Sequence, residues 1–110
     1  MHEKFGQFID GQWQQAEKKE TYDVINPATD EVIRKASKAS SIEVQKALKS
    51  AEKGLEVWKN TAPWQRAYVL RKLADMMRER NDVIAKWLTL EVGKPLADAV
   101  GEVGGGADIF

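Results

Sequence analysis

The sequence has no cysteine and only one histidine, His2, among its 110 residues. Disulfides, thiolate metal sites and a cysteine nucleophile are therefore excluded from this chain. A catalytic histidine pair and a multi-histidine metal site are excluded as well. His2 follows the initiator methionine, and we expect it to be a mobile terminal residue. Neither cysteine chemistry nor chemistry that needs two histidines is therefore available within these 110 positions.

An excess of charge of one sign is also missing, since 17 Lys and Arg balance 17 Asp and Glu. That balance argues against a dedicated nucleic-acid binder. No uncharged run is long enough to span a bilayer, and no apolar signal segment follows the N-terminus. With 43% hydrophobic and 31% charged residues, we expect one folded cytoplasmic unit at most, without a nucleic-acid or membrane partner.

The first third of the chain has the alternation of strands. Asp10-Gly11 separates 8–9 from 12–14, and an Asp-Gly pair between β-formers favours a tight hairpin. A second strand pair is predicted at 21–25 and 31–36, around a turn that begins at Asn26-Pro27, because proline cannot donate to a strand ladder.

Helical periodicity begins at Ser40, which forms a predicted capping box with Glu43. The first helix ends near Asn60. Pro63 opens a second, longer helix that Gly93 and Pro95 stop. A third helix begins at Leu96, and its glycine cluster weakens it by roughly 1 kcal/mol per glycine relative to alanine. The amphipathic stripes contain Val44, Ala47, Leu48, Ala51, Leu55 and Trp58 on the first helix, and Leu70, Leu73, Met77, Ile84, Trp87 and Leu88 on the second.

Several short segments resemble functional motifs but do not have the residues or the sequence context that those motifs require. Gly93-Lys94 lacks the flanking residues of a phosphate loop, since Leu88 and Pro95 stand where Gly and Ser or Thr are needed. The glycines of 101–106 do not follow a strand, so they indicate close helix approach or a broken helix rather than a dinucleotide fingerprint. The carboxylates of Asp75, Glu79 and Asp82 alternate with cations, which is typical of a solvated helix face.

The four tryptophans divide into two groups. Trp58 and Trp87 lie on the apolar stripes, and we expect them to be packed. Trp13 on the hairpin and Trp64 in the first turn of the second helix lie off any clear stripe. These two are candidates for contact with other protein, because exposed large apolar side chains concentrate at interfaces.

Taken in order, several segments resemble the N-terminal part of the aldehyde dehydrogenase superfamily. They are Phe8-Ile9-Asp10-Gly11-Gln12-Trp13, Val24-Ile25-Asn26-Pro27-Ala28-Thr29, Leu70-Arg71-Lys72-Leu73-Ala74-Asp75 and Leu90-Glu91-Val92-Gly93-Lys94-Pro95-Leu96. Departures include Asp30 where the family usually has Gly, Gln65 where it usually has Glu, and the triple glycine 104–106. The stretch from Leu88 to Val103 looks most like the succinate-semialdehyde dehydrogenase branch.

The resemblance implies an α/β fold, of which residues 1–110 would be the N-terminal portion of the cofactor-binding domain. Strands and turns would occupy 1–39 and helices 40–110, and the catalytic domain would be absent. Family enzymes oxidise aldehydes to carboxylates with NAD or NADP through a cysteine thiohemiacetal. The cysteine, its partner glutamate and the main cofactor contacts come later in the family sequence. The resemblance therefore implies no catalytic residue and no cofactor-binding residue in this chain, which would be an inactive scaffold.

The resemblance also implies a site for a monovalent cation, K⁺ or Na⁺. The matching positions are the backbone oxygens of Val24 and Ile25 and the carboxylate of Glu91, and such oxygens suit a hard cation. The alternative for Glu91 is a helix-end carboxylate in a solvent or ion-pair contact. The expected partners are the remainder of the polypeptide or a homo-oligomer, with a small aldehyde as the parent's substrate. A stand-alone, non-catalytic interaction module derived from the family is the alternative function.

Overall fold

A computed structural model describes residues 6–110, and His2 lies outside that range. Within residues 6–110, four strands precede four helices. The elements are β1 (Gln7–Ile9), β2 (Gln12–Gln14), β3 (Thr21–Ile25), β4 (Val32–Ser37), α1 (Ser41–Asn60), α2 (Pro63–Glu79), α3 (Asn81–Val92) and α4 (Leu96–Ile109). No helix among the described residues is long and apolar enough to cross a membrane.

The chain forms two compact units. The first contains residues through Val24 together with Arg34–Asn60, and the second contains Ile25–Ile33 with Thr61–Phe110. The predicted fold class is confirmed, since two antiparallel strand pairs are followed by amphipathic helices.

The β1–β2 hairpin of the first unit forms as its Asp-Gly turn predicts. Asp10 and Gly11 both have positive φ, 54° and 74°, as the tightest hairpin turn requires. The register pairs Phe8 with Trp13 and Ile9 with Gln12. Ile9 is buried, and β1 contacts α1. The hairpin therefore has one buried face, while the tilted rings of Phe8 and Trp13, 5.2 Å apart, stay largely exposed.

The turn between β3 and β4 depends on Asn26. Its side-chain oxygen accepts a hydrogen bond from the Ala28 N–H at 2.9 Å, and its carbonyl accepts one from the Asp30 N–H at 2.8 Å. Asp30 has φ 59°. Aspartate tolerates this left-handed conformation better than most residues. The departure from the family's glycine therefore leaves the turn intact.

The second unit packs three helices where the sequence pattern predicted one long helix and the start of another. The predicted helix from Pro63 to Val92 is broken at Arg80, whose φ of −110° and ψ of 14° leave helical geometry. Asn81 follows the break and donates from Nδ2 to the Val100 carbonyl of α4 at 3.1 Å. The break gives α4 contacts with both α2 and α3.

The core of this unit is small and made of small residues. Ala85 of α3 and Ala99 and Val103 of α4 form the buried cluster, with Leu88 packed against it. The glycine cluster does not break α4, which is helical through Ile109. A Cβ built on Gly106 would lie 3.6 Å from Met77 Cε of α2. Close helix approach, one of the two interpretations of the glycines, therefore holds at Gly106.

Candidate functional site

The two backbone positions of the predicted cation site lie at the end of β3. Val24 is partly buried and belongs to the first unit, whereas Ile25 is half exposed and belongs to the second. Directly after Ile25 the chain enters the Asn26 turn. Glu91 lies in the last turn of α3, and its side chain is exposed.

Within the second unit the turn and the end of α3 are in contact. Gly93 caps α3 in the left-handed conformation with φ 75°, and its N–H donates to the Thr89 carbonyl at 2.8 Å. A Cβ on Gly93 would lie 2.9 Å from Pro27 Cγ and 3.4 Å from the Ala28 nitrogen. Glycine is thus required twice, by the helix cap and by the approaching turn. The structure therefore brings the segment after Ile25 close to the helix end that carries Glu91.

The residues of this region supply oxygen donors only. Backbone carbonyls and one carboxylate are ligands suited to a hard cation and unsuited to soft metals. Among residues 6–110 no group of three or more His, Cys, Asp or Glu side chains is arranged to hold a metal. A cation bound here would therefore be held mainly by main-chain oxygens.

Among the described residues, the side chain whose pKa the fold shifts most lies elsewhere, at the start of α1. Glu43 is 1% exposed. Its Oε2 accepts hydrogen bonds from the Ser40 hydroxyl at 2.7 Å and the Ser40 N–H at 2.8 Å, and Oε1 accepts one from the Glu17 N–H at 3.1 Å. The Ser40 hydroxyl is the largest cause that lowers the pKa of Glu43 to about 2, followed by the Glu17 N–H.

The capping box predicted at Ser40 is confirmed, and Ser40 Oγ also accepts from the Ile42 N–H at 3.2 Å. The bond from Glu17 was missed because its partners are 26 residues apart and no local pattern marks it. Glu43 therefore joins the loop after β2 to the first turn of α1. This is a structural role, since the carboxylate is buried and fully engaged by donors of its own unit.

The apolar stripe of α1 is uncovered, and the stripe of α2 and α3 is covered in part. On α1 the exposed members include Val44, Leu48, Leu55 and Trp58. On α2 and α3 Leu73 and Ile84 are exposed, whereas Leu70, Met77, Trp87 and Leu88 are partly buried. The expectation that Trp58 is packed is wrong for this chain, because 40% of it is exposed, whereas Trp87 is partly buried. Trp13 and Trp64 are exposed, as their positions off the stripes suggest.

Three features characterise the described fold. They are two antiparallel strand pairs, a unit of three helices, and an Asn-Pro turn that packs against the glycine cap of α3. The described fold is that of the N-terminal part of an aldehyde dehydrogenase. The model of the aldehyde dehydrogenase family matches residues 13–110. The chain belongs to the aldehyde dehydrogenase family.

Individual relatives agree with this assignment. The chain is 40% identical over 96 residues to a glutarate-semialdehyde dehydrogenase of Pseudomonas aeruginosa, an alignment that covers 87% of this chain and 20% of the relative. An NAD-dependent aldehyde dehydrogenase from Sinorhizobium meliloti superposes with a TM-score of 0.89 at 33% identity, over 94% of this chain and 21% of that one.

A variant of betaine aldehyde dehydrogenase from Staphylococcus aureus, solved in complex with NAD⁺, gives a TM-score of 0.87 at 30% identity. There the match covers 93% of this chain and 21% of the other. The chain thus spans about one fifth of the length of the relatives that it matches.

Proposed function

We propose that this chain is a scaffold segment of an aldehyde dehydrogenase, the N-terminal portion of its cofactor-binding domain. The complete enzyme would oxidise an aldehyde to a carboxylate with NAD or NADP. The observation that carries the proposal is the family match over residues 13–110 in a chain that spans one fifth of its relatives.

The uncovered stripes support a scaffold role. Leu48, Leu55 and Leu73 are each at least 40% exposed. Burying a leucine stabilises a fold by roughly 1.5–3 kcal/mol, so such a stripe is normally covered. The described residues offer no sheet that is large enough, since both sheets have two strands. We propose that the remainder of an aldehyde dehydrogenase, including its larger sheet, covers these faces.

The chemistry of the complete enzyme would lie outside these 110 residues. Oxidation through a thiohemiacetal needs a cysteine thiolate to add to the aldehyde carbon and a bound nicotinamide to accept the hydride. Water, activated by a carboxylate base, then releases the acid and returns the thiolate. The chain contains no cysteine, so we expect it to be inactive alone.

The substrate we propose is a small semialdehyde that carries a carboxylate, with succinate semialdehyde as the first candidate. The stretch from Leu88 to Val103 resembles that branch, and the relative from Pseudomonas aeruginosa is named for glutarate semialdehyde. Assays with both semialdehydes and with betaine aldehyde would discriminate, since only the first two contribute a negative charge. Preference for betaine aldehyde would contradict this choice.

We also propose that Ile25 and Glu91, both in the second unit, contribute to the site for K⁺ or Na⁺ that the resemblance implies. The support is the contact between the turn after Ile25 and the glycine cap two residues beyond Glu91. In the complete enzyme, replacing Na⁺ and K⁺ with a large organic cation should lower the melting temperature. Glu91→Gln should abolish that dependence, and Glu79→Gln, an exposed carboxylate at the end of α2, should preserve it. Equal cation dependence in all three proteins would refute the site.

The direct test of the proposed function is the native gene product. An antibody against this chain should detect a polypeptide several times larger than 12.4 kDa, and that product should reduce NAD or NADP with a semialdehyde. The purified 110-residue chain should give no turnover above buffer. A native product of 12.4 kDa without activity would favour the alternative, a stand-alone interaction module.

The module alternative has its own discriminator. An independent module unfolds cooperatively with coincident probes. A segment that lacks its covering protein binds a hydrophobic dye and unfolds gradually. The many exposed apolar side chains favour the second outcome for the isolated chain.

A further inference from the structure

The polar face of α2 carries two large aromatic side chains. Trp64 is 70% exposed and Tyr68 is 66% exposed. They are four residues apart, so they lie one above the other on the helix. With Arg71, Lys72 and Asp75 they line an open groove of about 330 Å³. We refer to these five residues as the aromatic–basic groove.

This groove is separate from the apolar faces that other protein would cover. Ala74 is the buried residue of α2, and Met77 approaches α4 at Gly106. Val69 and Leu73, the other exposed apolar residues of the helix, each follow an aromatic of the groove by five positions. Five residues correspond to a rotation of ~140° around a helix. Protein that packs on Val69 and Leu73 therefore leaves Trp64 and Tyr68 on the opposite side.

The charged residues of the groove differ in whether an oppositely charged side chain lies beside them. Asp75 Oδ1 lies 3.5 Å from Arg78 Nη1, so the one carboxylate already has a cation beside it. Arg71 donates from Nε to the Ala67 carbonyl at 3.3 Å, which holds its guanidinium against the helix. Neither Arg71 nor Lys72 forms an ion pair within residues 6–110. The groove therefore combines aromatic surface with positive charge that lacks a counterion.

From this juxtaposition we propose that the aromatic–basic groove binds an acidic peptide segment of a partner protein, with an apolar side chain seated on Trp64 and Tyr68. Trp, Tyr and Arg are the residues that dominate binding energy at protein interfaces. Arg71 and Lys72 would pair with the partner's carboxylates, and the guanidinium offers bidentate geometry. An open groove favours a peptide over a small ligand, because ligand pockets enclose most of the ligand surface.

The test uses the complete polypeptide that carries this chain and three labelled synthetic peptides. The first has glutamates around a central phenylalanine, the second has glutamines in place of the glutamates, and the third has serine in place of the phenylalanine. Fluorescence anisotropy at low salt should show saturable binding of the first peptide. The other two peptides should bind at least about tenfold more weakly, because the second lacks the negative charges and the third lacks the apolar side chain.

Two double variants and their matched controls locate the site. W64Q/Y68Q and R71Q/K72Q should each weaken binding of the first peptide about tenfold or more. W13Q removes an exposed tryptophan elsewhere, and K49Q/K53Q removes two exposed lysines of α1, so both should bind normally. Circular dichroism should show unchanged helix content in every variant.

Three outcomes would overturn the proposal. One is the absence of saturable binding to the first peptide, and another is an equal loss in K49Q/K53Q, which would indicate unspecific attraction to positive charge. The third is a fall in sedimentation mass in W64Q/Y68Q without an effect on peptide binding, which would make the groove a contact between copies of the chain. None of these results bears on the aldehyde dehydrogenase activity, so the two proposals fail separately.

Discussion

At the scale of single residues, Glu43 is the clearest case of a side chain whose charge stabilises the fold. Its carboxylate accepts three hydrogen bonds from Ser40 and Glu17 while buried. A glutamine has the same shape, but its amide nitrogen cannot accept, so at least one donor loses its partner. We expect Glu43→Gln to lower the melting temperature clearly, whereas Glu52→Gln, at an exposed position of the same helix, should leave it nearly unchanged. Equal effects would contradict the structural role.

The same residue predicts a pH dependence. Folding lowers the pKa of Glu43 from 4.5 to about 2. A lowered pKa in the folded state means that the unfolded chain binds the proton more tightly. The stabilisation by Glu43 is therefore fully present above pH 4.5 and is lost as the pH falls from there toward 2. Denaturation measured across this window should show a smaller fall in stability for Glu43→Gln than for the unmodified chain.

At the scale of elements, local sequence patterns predicted the features that depend on neighbouring residues. They missed the features that depend on contacts between residues far apart in the sequence. Three features were predictable because their hydrogen bonds and φ values involve residues that are close together in the sequence. They are the hairpin at Asp10-Gly11, the turn at Asn26 and the start of α1. The break at Arg80 was not predicted, since neither Gly nor Pro marks it. It depends on contacts with α4, including the bond from Asn81 to the Val100 carbonyl.

The candidate cation region shows the same division. The helix stop at Gly93 could be predicted from the residue alone. Its contact with Pro27 joins residues that are 66 positions apart in sequence number and is visible only in the structure. A cation site that combines Ile25 with Glu91 stays a prediction from the family resemblance, because main-chain ligands leave no pattern in a sequence.

A substitution at Gly93 would test the contact between the Asn26 turn and the end of α3. An alanine there would combine φ 75° with a Cβ placed 2.9 Å from Pro27 Cγ, and a left-handed non-glycine residue alone costs roughly 1–2 kcal/mol. We expect Gly93→Ala to destabilise the second unit by at least that amount. Gly54→Ala in the interior of α1, where nothing lies within 4 Å of the new Cβ, should instead stabilise by about 0.5–1 kcal/mol. Chemical denaturation of both variants measures the two signs, and a Gly93→Ala variant as stable as the unmodified chain would contradict both the strained helix cap and the close approach of Pro27.

At the scale of the whole molecule, the contrast is between a small buried core and wide exposed stripes. The buried cluster consists of Ala85, Ala99 and Val103, whereas the leucines of α1 and α2 lie mostly at the surface. A core of alanines permits close helix approach but removes little apolar area from water. We therefore expect most of the stability of this segment to come from protein that covers the stripes, which rests on the proposed function.

Substitutions at Leu73 and Val103 distinguish stability that comes from covering protein from stability that comes from the buried core of this chain. Leu73 is 40% exposed and Val103 is 6% exposed. In the 110-residue chain Leu73→Ala should leave the denaturation midpoint nearly unchanged, as surface substitutions do. In a complete aldehyde dehydrogenase that covers the stripe it should cost about 2–5 kcal/mol. Val103→Ala should lower the denaturation midpoint in both proteins, because its packing lies within the α3–α4 core. Equal losses for Leu73→Ala in both proteins would mean that the stripe stays uncovered, and the scaffold role would then be wrong.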